Sequence, residues 1–169
     1  MGYMATSDKA HSTGAQSATS SMPTNSPAQG TIPLRRATPS NTPGPEQSFY
    51  TLVGGSETFE KLSHAFYDRV KDEPLLIQYY DPNDLDGAAR RLQLFLEQYW
   101  GGPHTYQEER GHPRLRMRHA SFRIGIAERD AWLNCMRGAM DAVQLDPEHD
   151  RIMWDYMVRA ADFLRNVQE

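Results

Sequence analysis

The side chains with the most chemistry to offer are six histidines, one cysteine and a set of tyrosines and tryptophans. His104, His112 and His119 lie close in sequence, but their spacings suit no common zinc pattern, and Cys135 falls in a separate predicted helix. His119 stands out by its neighbours. It sits in Arg114-Leu-Arg-Met-Arg-His-Ala-Ser-Phe-Arg123, and from Arg110 to Ala127 there are five arginines and no acidic residue. A neutral imidazole is a good ligand for a transition metal. Arginines beside it could pair with carboxylates carried by a cofactor, such as the two propionates of a haem. The same cluster would serve phosphate, nucleic acid or an acidic protein, and a lone histidine is more often an ordinary side chain. These residues alone leave the three readings open.

Tyr67, Tyr80 and Trp132 each fall on or beside a predicted helix face. A buried phenol or indole N–H usually needs a hydrogen-bond partner. Three of them in one small domain point to a polar pocket inside an apolar core. Plain amphipathic packing, with each group bonded to backbone, would give the same periodicity. Glu97, Glu108 and Glu109 have no partner at useful spacing and read as solvated positions. Cys135 reads as a small buried helix residue.

These side chains are carried by helices. Ser56, after Gly54-Gly55, is placed to cap a helix whose apolar positions are Phe59, Leu62, Phe66 and Val70, ending before Pro74. A short helix around Leu75–Tyr80 ends at Asp81-Pro82. Asp84 is a natural N-cap for the next, with the stripe Leu85, Ala88, Leu92, Phe95, Leu96 and Tyr99. Gly101-Gly102-Pro103 stops it. Residues 103–113 show no period and read as a loop. A short helix over Arg114–Ala120 starts on Pro113. A long helix spans Glu128–Val143, with Trp132, Leu133, Met136, Met140 and Val143. Asp146-Pro147 opens the last helix. Its stripe is Ile152, Met153, Tyr156, Met157, Ala160, Phe163, Leu164 and Val167. No alternating strand pattern competes, so the expected class is all-α.

The chain has 169 residues, enough for one domain and a tail. Residues 1–46 are rich in Ser, Thr, Pro, Gly and Gln and hold six of the eleven prolines. Such a segment cannot bury enough apolar surface to offset its ordering entropy, so it reads as a disordered extension, with Arg35-Arg36 solvated. The domain is expected over 47–169. One cysteine permits no intrachain disulfide, which fits a cytoplasmic location. Nothing at the start resembles a secretory signal, and no apolar run is long enough to enter a membrane. A formal net charge of -4 gives no reason to expect DNA as a partner.

Three segments together carry a family likeness: Phe95-Leu-Glu-Gln-Tyr-Trp-Gly-Gly-Pro103, Gly111-His-Pro-Arg-Leu-Arg-Met-Arg-His-Ala120 and Ala127-Glu-Arg-Asp-Ala-Trp-Leu133. With Phe49-Tyr-Thr-Leu-Val-Gly-Gly55 and Phe66-Tyr67, the chain from about Ser48 onward resembles the group II truncated haemoglobins of bacteria. The resemblance implies a shortened globin, two helices packed over two around haem b. It implies His119 as the iron ligand, with Tyr67, Tyr80, Trp132, Ala88, Leu92 and Phe95 in the distal pocket. Ala88 takes the place of the distal histidine of vertebrate globins. Arg91, Arg118, Tyr106 and Phe122 are implied as cofactor contacts. The stretch Asp81-Pro82-Asn83 departs from the family by placing proline one step late.

The implied function is binding of O₂, and also of NO, CO or peroxide. Without a distal histidine, hydrogen bonds to the ligand must come from Trp132 and the tyrosines. Each such bond is worth roughly 1.5–3 kcal/mol. Release should therefore be slow, which favours storage, sensing or chemistry on the ligand over simple transport. A haem peroxidase or a nitric-oxide dioxygenase is the enzymatic alternative, the latter served by a separate electron-donating reductase. A haem-free helical module using the arginine cluster is the second alternative.

Overall fold

The computed structural model describes residues 48–167, and every regular element among them is helical. The segment 1–46, with Arg35-Arg36, lies outside the described residues. Eight helices follow in order: α1 (Phe49–Leu52), α2 (Gly55–Val70), α3 (Pro74–Ile77), α4 (Leu85–Tyr99), α5 (Thr105–Arg110), α6 (Leu115–His119), α7 (Ile126–Val143) and α8 (Pro147–Leu164). Four are long. Helix α2 packs on both α4 and α7, and α7 packs on α8. This is the two-over-two arrangement of the truncated globins, with short helices closing the ends.

The apolar spacing of α2 explains its place. Phe59, Leu62, Phe66 and Val70 recur every three or four residues and are all buried. They meet Leu96 of α4, Met136 and Met140 of α7, and Met153 and Met157 of α8 in one core. Four methionines give this core adaptable, unbranched side chains where four helices cross. Helix α8 starts as its sequence dictates: Asp146 accepts from the Glu148 amide at 3.1 Å, and Pro147 takes the first turn. Cys135 is buried in α7 as expected.

Several local expectations are corrected. Residues 103–113 are not a plain loop, because Thr105–Arg110 form α5. A helix of six residues needs only one apolar anchor, here Tyr106, so no period could announce it. Ser56 does not cap α2. The helix starts at Gly55 behind a left-handed Gly54, and the Ser56 hydroxyl donates instead to Glu97 Oε1 at 2.6 Å. Glu97 is therefore not solvated. It is buried, and Gln93 Nε2 donates to the same oxygen at 2.9 Å. Asp84 stands at the N-cap of α4, but its carboxylate takes Arg91 at 2.9 Å rather than a backbone amide. Pro113 precedes the N-cap of α6 instead of opening the helix. Helix α7 starts two residues early, at Ile126, with Glu128 accepting from the Gly125 amide at 2.8 Å. Tyr99 and Phe163 leave their stripes for solvent, the latter beneath the Arg116 guanidinium.

Candidate functional site

His119 is the last residue of α6, a five-residue helix with no buried side chain. The chain enters it through Arg114, whose φ of 42° lies in the left-handed region. Arg118 holds this entry together: its Nε donates to the Pro113 carbonyl and its Nη2 to the Arg110 carbonyl, both at 2.8 Å. His119 Nδ1 lies 2.8 Å from the Leu115 carbonyl one turn back. A carbonyl can only accept, so Nδ1 carries a proton, and in the neutral ring Nε2 is the nitrogen that keeps its lone pair. The backbone has thus selected the tautomer that a metal ligand needs.

The end of α6 is tied to the turn after α3. Tyr79 donates its hydroxyl to the Arg123 carbonyl at 2.8 Å, and its ring meets Phe122 edge-on at 5.4 Å. Phe122 in turn lies 6.2 Å from the His119 ring. The next residue, Tyr80, meets Tyr67 at 5.3 Å with the rings nearly perpendicular. Two adjacent tyrosines thus serve two groups: Tyr79 holds the histidine segment and Tyr80 joins the phenol of α2. Tyr79 had no signal in the sequence, because its partner is a backbone carbonyl 44 residues away.

Two of the expected distal residues share a neighbour: buried Phe66 is 5.1 Å from the Tyr67 ring and 5.3 Å from Trp132 of α7. Burial pushes the Tyr67 and Tyr80 hydroxyls up from the usual phenol range. A hydrogen bond between the two hydroxyls couples the phenols, each able to donate or accept. Neither phenol turns to a backbone carbonyl, which favours a polar pocket over plain packing. Ala88, Leu92 and Phe95 share one face of α4 at helical spacing. Ala88 is buried, while Leu92 and Phe95 are half-buried against the core. Tyr106 is not at the surface of a loop but buried on α5, with its ring 5.7 Å from Phe95.

The charged groups are not exhausted by their protein partners. Arg91 gives one nitrogen to Asp84. Arg118 spends two of its five N–H bonds on carbonyls. Among the described residues no group of three His, Cys, Asp or Glu could hold a bare ion. A metal held by His119 would have it as a lone protein ligand, which fits a metal that brings other ligands of its own, as in a macrocycle. The half-buried apolar rings of Phe95, Phe122 and Trp132 suit the flat face of such a group.

The sequence model of the bacterial-like globin family matches residues 48–166, nearly all of the described chain. Over 115 residues the chain is 43% identical to Group 2 truncated hemoglobin YjbI of Bacillus subtilis, covering 68% of this chain and 86% of that one. Among solved structures it resembles a thermostable haemoglobin of the actinobacterium Thermobifida fusca. That pair has a TM-score of 0.70 and 52% identity, over 72% of this chain and 99% of the other. It also resembles a truncated oxygen-avid haemoglobin from Bacillus subtilis, with a TM-score of 0.66 and 41% identity over 70% and 99% of the two chains.

Proposed function

Because this chain belongs to the bacterial-like globins, as a group II truncated haemoglobin, we propose that it binds haem b through His119 and holds O₂ with slow release. Binding of a diatomic ligand by a haem is what the family does. The finer reading concerns which residues do it here. Its main support is the His119 Nδ1 contact with the Leu115 carbonyl, which leaves Nε2 as a neutral donor.

Haem, when bound, supplies the iron at which a diatomic ligand coordinates. His119 Nε2 would be the nitrogen that holds it, made more basic by the hydrogen bond at Nδ1. Arg91 and Arg118 have N–H groups left for the two propionates. Phe122, Leu92, Phe95 and, behind Phe95, Tyr106 exclude water from its faces. Ala88 offers no hydrogen bond. The donors left for the ligand are the Tyr80 hydroxyl and the Trp132 indole N–H. In the proposed order Tyr67 gives its proton to the Tyr80 oxygen, and so acts by turning the Tyr80 proton away from itself and by polarising that hydroxyl.

A hydrogen bond to an acceptor with anionic character is worth roughly 1.5–3 kcal/mol. At about 1.4 kcal/mol per tenfold, one donor slows O₂ escape by roughly ten- to a hundredfold. Stopped-flow O₂ dissociation from the ferrous protein tests the assignment. Trp132→Phe and Tyr80→Phe should each raise the rate by about tenfold or more, and Tyr67→Phe by less. Unchanged rates in both of the first two variants would reduce those side chains to packing. A larger effect at Tyr67 would reverse the order of the pair.

A further inference from the structure

We propose that Asn166 is the positioning residue for His119, a role that rests on the reading of His119 as the iron ligand. Asn166 lies two residues beyond the end of α8 and 47 residues from His119. Its side chain has one amide oxygen and two N–H bonds. All are spent on the turn that follows α6. The oxygen accepts from the Ile124 amide at 3.0 Å. Nδ2 donates to the Phe122 carbonyl at 2.8 Å and to the His119 carbonyl at 3.2 Å. The Asn166 backbone amide adds a fourth bond, to the Ile124 carbonyl at 3.0 Å.

Helix α6 needs such an anchor. It is five residues long and buries no side chain, so apolar packing does not fix its direction. Its last carbonyls have no intrahelical donor, as at any helix end. The His119 carbonyl accepts from the Phe122 amide at 3.1 Å just past the helix, and Asn166 adds a second donor to it. The imidazole is also bonded back to Leu115 within the helix. Both bonds act on one residue, the Leu115 contact setting the ring and the Asn166 bond holding the backbone that carries it. Asparagine is the fitting type here. Aspartate keeps the acceptor but faces two carbonyls with a carboxylate, and alanine keeps neither function.

The test uses the haem-loaded protein and two readouts. One is the iron–imidazole stretching band of the ferrous, unliganded form by resonance Raman. The other is the rate of haem transfer to excess apomyoglobin. Asn166→Ala and Asn166→Asp should both shift or broaden the band and speed haem loss on the order of tenfold. The control is Asp162→Ala, which breaks the 2.7 Å ion pair joining α8 to Arg129 of α7 but leaves the His119 turn alone. It should lower the melting temperature without moving the band. An unmoved band and unchanged haem loss in either folded Asn166 variant would overturn the proposal. So would an equal band shift in Asp162→Ala, which would mean general loosening. A wild-type chain that takes up no haem would overturn the proposed function and this inference with it.

Discussion

Tyr67, Tyr80 and Tyr156 are phenols that burial, above all, pushes above the ordinary value of 10.0. In the unfolded chain each returns to that value and loses its proton more readily. Below about pH 10 both states are protonated and the groups leave stability unchanged with pH. Above it the unfolded state binds fewer protons than the native state, so stability falls as pH rises, by up to ~1.4 kcal/mol per pH unit for each phenol. Chemical denaturation from pH 8 to 11 should show a flat region and then a decline. A decline that starts near neutrality would mean other groups dominate. The same burial keeps the Tyr80 proton in place for a ligand through the neutral range. Five arginines marked His119 as a candidate, and the family resemblance singled it out as the proposed iron ligand. Asn166 and Tyr79 had no such mark. Each bonds to backbone carbonyls more than forty positions away, and nothing local to either residue records that.

Helices announced themselves in proportion to how much apolar surface each must bury. The long ones, α2, α4, α7 and α8, carry stripes at helical spacing that feed one core, and all four were readable within a few residues. Helix α5 has a single anchor in Tyr106 and gave no period. Polar groups misled more often, since a side chain able to cap a helix can also bond far away. Ser56 chose Glu97 and Asp84 chose Arg91 over their local amides. The end of α4 depends on close approach at Gly102. Its amide donates to the Glu97 carbonyl at 2.8 Å, and a Cβ there would stand 2.7 Å from the Tyr50 ring and 2.9 Å from that carbonyl. Gly102→Ala should cost ~1–3 kcal/mol and lower the melting temperature by several degrees in a thermal scan. A neutral result would show that α1, which carries Tyr50, gives way freely.

Across the whole molecule, a histidine ends a short helix that buries no side chain, while two phenols and an indole pack against the core. The fold and family were legible because their motifs lie in the chain itself. The proposed distal donors could be named from the sequence only as residue types, since which phenol donates depends on a hydrogen bond between α2 and the turn after α3. One proposed contact underlies the rest, a bond from the lone pair of His119 Nε2 to a haem iron. Replacing the imidazole and then returning it as a free molecule probes that contact. His119→Gly is expected to lose haem or to give an altered ferrous absorbance and iron–imidazole band, with the wild-type spectrum restored by added imidazole. A His119→Gly protein with full haem and an unchanged ferrous spectrum before imidazole is added would contradict this assignment outright.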